Sequence, residues 1–279
     1  MGLVINIRGM QEFRGQWVAI TGASSGIGEK MAEILAEAGA KLVLVARRGD
    51  RLRKIADRCL STGASEVQVI EADLASASGV EKLIGELSAL SGGLYGLVNN
   101  AGFGATGNLD QESWPLLDSM LELNVRSLVR LSHWAAGALR AQGRGGILNV
   151  ASTAAFQPLP GMALYGSTKA FVSTFSAALH QELKYSGVKV SCLHPGKTET
   201  EFFDAAGMSG KKLFFFRIPG MSAREVARIG LQGWVANRPQ VVAGGLNRFI
   251  VFLTRLAPLS FQLALAHSLF RETESRISE

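Results

Sequence analysis

The stretch Thr21-Gly22-Ala23-Ser24-Ser25-Gly26-Ile27-Gly28 constrains this chain more than any other. Before it stands the apolar run Trp17-Val18-Ala19-Ile20, which fits a buried strand. After it, apolar residues recur at Ile27, Met31, Ile34, Leu35 and Ala38, which is helical spacing. Three glycines therefore sit where a strand turns into a helix. Without Cβ atoms there, backbone N–H groups can approach a pyrophosphate, and the helix N-terminus adds its partial positive charge. The spacing Gly-x3-Gly-x-Gly departs from the commoner Gly-x-Gly-x-x-Gly fingerprint, and a glycine-rich turn alone is often only a tight turn. The strand, the helix and the hydroxyls of Thr21, Ser24 and Ser25 favour the phosphate cradle. Gly22, Ser24, Ser25, Gly26, Ile27 and Gly28 are its candidate contacts.

The same alternation continues along the chain. Strand-like segments fall at 17–21, 41–46, 67–71, 95–99, 146–151, 189–194 and 240–243, separated by helical patterns at 26–38, 50–60, 78–90, 112–142, 165–186 and 222–235. Strands joined through helices imply right-handed crossovers and a parallel sheet covered on both faces. The expected fold is α/β, a Rossmann-type doubly wound parallel sheet of about seven strands. No linker, repeat or low-complexity stretch divides residues 1–279, so a single dinucleotide-binding domain is expected. An irregular insertion at 201–221 and an apolar C-terminal extension at 246–270 decorate it.

Tyr165 and Lys169 lie four residues apart on a helical pattern, so both project from one face. A free phenol has a pKa of about 10, and a nearby ammonium favours the phenolate and lowers that value. Such a tyrosine can act as general acid toward a carbonyl being reduced, or as general base toward an alcohol. Ser152 closes the fifth strand, where its hydroxyl can hold a substrate oxygen. Each residue taken alone has a plain structural reading, since a helical Tyr usually packs and a Ser after a strand usually caps.

Taken in order, these motifs resemble the short-chain dehydrogenase/reductase family from about Arg14 to Gly244. Thr21 to Gly28 looks like its Thr-Gly-x3-Gly-x-Gly, and Asp73-Leu74 like its adenine-side Asp closing the third strand. Asn99-Asn100-Ala101-Gly102 matches its Asn-Asn-Ala-Gly after the fourth strand. Asn124, Ser152, Tyr165 and Lys169 fall where its catalytic tetrad falls, and Pro195-Gly196 with Thr198 and Thr200 resembles its nicotinamide-side loop. Within the family, Val43 to Arg48 and Thr200 to Asp204 resemble the bacterial branch often labelled DltE-like. The resemblance implies a nicotinamide cofactor contacted also by Asn100, Ala101, Gly102, Tyr165 and Lys169. It implies that Asn124 holds a water linking Lys169 to solvent. It further implies a homodimer or homotetramer pairing 112–142 and 165–186, which carry Leu128, Leu131, Trp134 and Leu139, and Phe171, Phe175 and Leu179.

One position bears on the cofactor's phosphate state. Enzymes preferring NAD place an acid at the end of the second strand, about 20 residues past the glycine turn, on the ribose 2′-hydroxyl. This chain reads Val45-Ala46-Arg47-Arg48 there. A guanidinium suits a 2′-phosphate and can stack on adenine, so NADP(H) is expected over NAD(H), with Arg47 and Arg48 as contacts; the plain alternative is two solvated arginines capping a strand.

Other function classes find little support. The net charge of +6 comes from scattered Lys and Arg, with no aromatic-interleaved basic stripe, so no nucleic-acid partner is expected. Cys59 and Cys192 show no pairing or metal spacing, which with the absence of a leader pattern suggests the cytoplasm. His133, His180, His194 and His267 have no ligand partner at motif spacing, so no metal is expected. Ser152 lacks the Gly-x-Ser-x-Gly elbow of a hydrolase. Trp114, Met120, Leu121 and Leu123 read as core or interface. Leu246 to Phe270 is broken by Arg248, Arg255, Pro258 and His267, which argues against a membrane span. Two helices packed on the domain or on a partner subunit are the first expectation there, with Pro258 in the first turn of the second. An interfacial anchor is the alternative.

The resulting expectation is an NADPH-dependent oxidoreductase interconverting a carbonyl and an alcohol, acting on a hydrophobic ketone or acyl substrate. The insertion, with Gly207, Gly210 and Lys211-Lys212-Leu213-Phe214-Phe215-Phe216, would form a mobile apolar lid or simply seal the core edge. Two alternatives stay open: the same chemistry on a small polar carbonyl, and a non-catalytic dinucleotide-binding redox regulator.

Overall fold

Apolar runs become strands where both faces of a sheet are covered, because neither face then needs polar residues. Trp17–Thr21 (β1) and Gly146–Val150 (β5) are buried throughout, and Lys41–Ala46 (β2) is buried at all but its ends. The computed structural model describes residues 9–202 and 220–271, and the expected lid segment Lys211–Phe216, with Gly207 and Gly210, lies outside them.

Seven strands form one parallel sheet. With Glu66–Glu71 (β3), Leu94–Asn99 (β4), Lys189–His194 (β6) and, numbered past a short outlying pair, Gln240–Val242 (β9), the spatial order is β3-β2-β1-β4-β5-β6-β9. The outlying pair, Thr198–Glu199 (β7) and Met221–Ser222 (β8), is also parallel. Side chains alternate between two cores: Val18, Ile20, Leu42 and Leu44 enter one, and Trp17, Ala19, Val43 and Val45 enter the other. The first core is closed by Gly26–Glu37 (α1), Gly49–Thr62 (α2) and, on the far side of the sequence, Ala223–Val235, whose Trp234 is 2% exposed. The second is closed by Ala77–Ser88 (α3), Leu128–Gln142 and Ala163–Glu182. These last helices are α5, α6 and, for Ala223–Val235, α7.

Strand order reverses between β1 and β4. Successive strands run outward from β1 in one direction and from β4 in the other, leaving a crevice beyond their carboxyl ends, where open α/β sheets bind ligands.

The expected helix over 112–142 is three pieces: Trp114–Leu121 (α4), a π-helical stretch at Glu122–Ser127, and α5. Periodicity does not distinguish i→i+5 from i→i+4 bonding over one turn, and such bulges often accompany functional residues; Asn124 lies in this one. Of the apolar residues expected to serve subunit pairing, Leu128, Leu131, Leu139 and Leu179 are buried within this chain's own core, Trp134 and Phe175 are half-buried, and Phe171 is exposed. Phe171 stacks on Phe175 with centroids 5.9 Å apart.

The C-terminal extension is two helices, Gly245–Leu256 (α8) and Leu259–Arg271 (α9). Pro258 precedes α9 rather than entering its first turn, and its carbonyl accepts from the N–H groups of Phe261 and Gln262. Within this single chain their outer faces stay open: Leu246, Phe249, Leu256 and Leu259 are all more than half exposed. Among the described residues no helix is long and apolar enough to cross a membrane.

Candidate active site

The crevice is a cleft of about 470 Å³ whose walls come from the ends of six strands. Gly22 follows β1, Arg47 and Arg48 follow β2, Asp73 and Leu74 follow β3, Asn100 to Gly102 follow β4, Ser152 follows β5, and Pro195 and Gly196 follow β6. Residues 174 positions apart in sequence, Gly22 and Gly196, are thus brought to one surface by the sheet alone, since parallel strands deliver all their C-terminal loops to the same edge.

The phosphate end is built on the glycine turn. Gly22 has φ +66°, a left-handed conformation that glycine adopts without strain. A Cβ added there would stand 2.9 Å from the Cα of Ala101, and one at Gly28 only 2.5 Å from the Asn100 Nδ2. Both glycines therefore let the first turn press on the turn after β4, and Gly28 does not line the cleft. Thr21 and Asn100 lock this contact: the Thr21 hydroxyl accepts from the N–H groups of Asn100 and Ala101, each at 3.0 Å, while Asn100 Nδ2 donates to the Thr21 carbonyl at 2.9 Å. Ser25 is the N-cap of α1, yet its hydroxyl caps no N–H. The first turn of α1 consequently keeps donors without a side-chain partner, as an anion at a helix N-terminus requires.

Of the two arginines after β2, it is Arg48 that is tied to this turn. Its guanidinium donates to Ser24 Oγ at 3.0 Å and Ser25 Oγ at 2.9 Å. A second Nη donates to Glu201 at 3.0 Å, and Arg51 donates to both oxygens of the same carboxylate at 2.7 and 2.9 Å. Arg51 first and Arg48 second hold the Glu201 carboxyl below its usual pKa. Arg47 lines the cleft and is exposed. Arg51 escaped sequence reasoning: it lies on α2, and its relevance comes from Glu201, 150 residues away.

The chemical end gathers Ser152, Tyr165 and Lys169, all of which line the cleft. Tyr165 and Lys169 lie on α6 and are buried. Ser152 caps the turn Thr153–Phe156, its Oγ accepting from the Ala154 N–H at 3.1 Å. Burial pushes the Tyr165 hydroxyl up to about 12, opposed by a hydrogen bond with Ser152. Burial likewise brings the Lys169 amine down to about 8. In the protein alone burial therefore raises the Tyr165 pKa, where a neighbouring ammonium was expected to lower it. Lys169 Nζ stands 5.9 Å from the Tyr165 ring centre and donates to the Val150 carbonyl at 3.0 Å, and desolvation disfavours charge on both groups.

Asn124 is buried and does not line the cleft. Its amide accepts from the Phe103 N–H at 3.1 Å and donates to the Phe103 carbonyl at 2.9 Å and to Thr168 Oγ1 at 3.1 Å. It therefore ties the loop after β4 to the helix that carries Tyr165 and Lys169. Thr198 and Thr200 line the cleft, Thr198 through a hydroxyl that donates to the Gly196 carbonyl at 3.1 Å. Around Tyr165 the wall is apolar, formed by Phe103, Leu159, Met162 and Phe202, with the Phe202 ring centre 5.5 Å from that of Tyr165. Leu123, expected in core or interface, also reaches the cleft. Apolar walls are expected from the sequence, but it does not single out these residues, because Phe103, Leu159 and Met162 lie in irregular segments without periodicity. Among the described residues no group of three His, Cys, Asp or Glu side chains could hold a metal.

This arrangement fits a dinucleotide: free helix-terminal donors and a guanidinium at one end, a buried phenol, hydroxyl and amine at the other. Comparison with known proteins agrees. A family model described as short chain dehydrogenase matches residues 16–208. An uncharacterized oxidoreductase of Myxococcus xanthus is 33% identical over 192 residues, which are 69% of this chain and 76% of that one. A short-chain dehydrogenase from Sphingobium yanoikuyae, solved in complex with NADPH, superposes with a TM-score of 0.78 at 31% identity over 86% of this chain and 93% of its own. The bulky-bulky ketone specific alcohol dehydrogenase from Comamonas testosteroni does so with a TM-score of 0.73 at 29% identity, over 86% and 92%.

Proposed function

This chain belongs to the short-chain dehydrogenase family of oxidoreductases, and from that premise we propose that it is an NADPH-dependent reductase of hydrophobic ketones or acyl carbonyls, able to run the reverse alcohol oxidation. The observation that carries this reading is the layout of the cleft: Arg48 fixed on the phosphate turn at one end, and buried Ser152, Tyr165 and Lys169 under an apolar wall at the other.

When bound, a reduced nicotinamide supplies the hydride. Ser152 and the Tyr165 hydroxyl hold the carbonyl oxygen between them. Tyr165 donates its proton to that oxygen as negative charge develops, and a phenol kept neutral by burial is in the correct state to do so. Lys169, whose amine burial brings down to about 8, returns a proton toward Tyr165 along the same helix face. Asn124 keeps the Phe103 loop and α6 in register, and the water relay that the family resemblance assigns to it belongs to this proposal. Arg48, with Arg51 beside it, receives the 2′-phosphate in place of the Glu201 carboxylate that both hold. Phe103, Leu159, Met162 and Phe202 exclude water and favour bulky apolar groups on the carbonyl, in keeping with the bulky ketones named for the Comamonas relative. Pairing through the outer faces of α5 and α6, where Phe171 and Trp134 stay partly open, gives a homodimer or homotetramer.

Initial rates on a panel of aliphatic, aromatic and polar carbonyls with NADPH and NADH test this reading, with Tyr165→Phe as control. The variant should bind NADPH nearly as wild type and lose at least ~10²-fold in turnover, the scale of a positioned acid. Retained turnover in Tyr165→Phe removes its role. Tight NADPH binding without turnover on any carbonyl would point instead to a non-catalytic regulator.

A further inference from the structure

The C-terminal helices present an apolar surface that the domain does not cover. On α8, Val251 is buried and Asn247, Ile250 and Thr254 are half-buried, so this side faces the protein. The opposite side carries Leu246, Phe249, Leu253 and Leu256, at spacings of three, four and three, all exposed. Such spacing makes one continuous stripe, here turned outward. On α9, Leu259, Phe261, Leu263 and Leu265 are exposed as well. The two helices hold a fixed arrangement, because Gln262 Nε2 donates to the carbonyls of Thr254 and Ala257, each at 2.9 Å. An exposed apolar area of this extent marks an interaction surface.

Charge decides what covers it. Between Glu225 and Glu272 the chain holds five arginines and no Asp or Glu, and between Arg255 and Arg271 it holds no Asp, Glu, Lys or Arg. Arg248 and Arg255, seven residues apart, flank the α8 stripe on one side, and both are exposed. Two-fold pairing of this face with itself would bring arginines together with no carboxylate of either α8 or α9 to neutralise them. An anionic lipid surface offers both requirements together: acyl chains for the stripe and phosphates for the arginines. Neither helix is long enough to span. At 1.5 Å per residue, α9 measures about 20 Å against a hydrocarbon core of about 30 Å.

We propose that α8 and α9 form a docking face that seats this protein on the surface of an anionic lipid bilayer. The face adjoins the chemical end of the cleft. α8 packs on the turn Thr153–Phe156 that follows Ser152, and Arg255 lies over the Phe156 ring at 5.0 Å. A second cavity of about 270 Å³ between α8 and that turn shares Thr153 and Gln157 with the main cleft. Docking therefore places the cleft beside the headgroup layer, whichever carbonyl it reduces.

Co-sedimentation of the full chain with vesicles tests the proposal, using phosphatidylcholine alone and phosphatidylcholine mixed with phosphatidylglycerol. Binding is expected to the mixed vesicles and to weaken with salt. Replacing Phe249, Leu253 and Leu256 together by Ser touches only exposed side chains, so the thermal transition should stay that of wild type. The partition coefficient should fall about ten-fold per residue removed. Arg248→Ala should cost about five-fold on mixed vesicles and nothing on phosphatidylcholine. Wild type left in the supernatant at low salt with both vesicles overturns the proposal, as does a triple variant that still sediments. Light scattering without vesicles supplies a further check. If the triple substitution halves the particle mass, the face is an interface between copies and the proposal fails.

Discussion

Lys169→Met isolates the energetic cost of the catalytic arrangement. Lys169 is 5% exposed, and burial brings its pKa from 10.5 to about 8. The folded value lies below the unfolded one, so between pH 8 and 10.5 the unfolded chain binds more protons. Stability from this group therefore rises with pH across that window, and below about pH 8 the whole cost of burying the ammonium is present. At about 1.4 kcal/mol per pKa unit, that cost is about 3 kcal/mol. Methionine occupies a similar volume without charge, but it strands the Val150 carbonyl, which loses its 3.0 Å bond at about 1 kcal/mol. The variant should thus be more stable than wild type by about 2 kcal/mol at pH 7, on the order of 5 °C in Tm. As pH rises toward 10.5 the gain should vanish and then reverse to a loss of about 1 kcal/mol, because lysine is then neutral in both states. Urea denaturation followed by tryptophan fluorescence, on both proteins from pH 6.5 to 10.5, reads this directly. Turnover should be lost throughout, the expected exchange of stability for activity. A pH-independent offset between the two proteins, or a variant less stable at pH 7, would refute the reasoning.

Three further outcomes follow from the same geometry. Arg48→Ala should weaken NADPH binding about ten- to a hundred-fold with little effect on NADH, and Arg47→Ala should do less, because only Arg48 is anchored on Ser24 and Ser25; calorimetric titration showing equal losses for both cofactors would contradict this. Glu201→Gln should raise NADPH affinity up to about five-fold at low salt by freeing Arg48 and Arg51 from an exposed pair, and an unchanged dissociation constant would rule out competition. Gly22→Ala should cost at least about 1 kcal/mol, since φ is +66° and the new methyl would stand 2.9 Å from Ala101; an unaltered denaturation midpoint would show that the turn relaxes freely.

The strands were legible in the sequence almost to the residue. β1, β2 and β6 have the expected bounds, β3, β4, β5 and β9 differ by one residue at an end, and only the two-residue pair β7 and β8 had no counterpart in the sequence reading. A sheet covered on both faces demands unbroken apolar runs, and a run announces itself locally. The glycine turn, Asn99 to Gly102, Ser152, Tyr165 and Lys169 were legible for a related reason. Parallel strands bring all their C-terminal loops to one edge, so strand order along the chain already places those residues together. Local pattern could not separate Arg47 from Arg48, because the choice rests on Ser24, Ser25 and Glu201, which reach Arg48 from 24, 23 and 153 residues away. Nor could it foresee that burial would raise the Tyr165 pKa, since desolvation depends on everything packed around a group. The π-helical turn at Glu122–Ser127 and the outward stripe of α8 belong with these. Periodicity announces that a helix has an apolar face; which way that face turns is set by what the rest of the fold leaves room to cover.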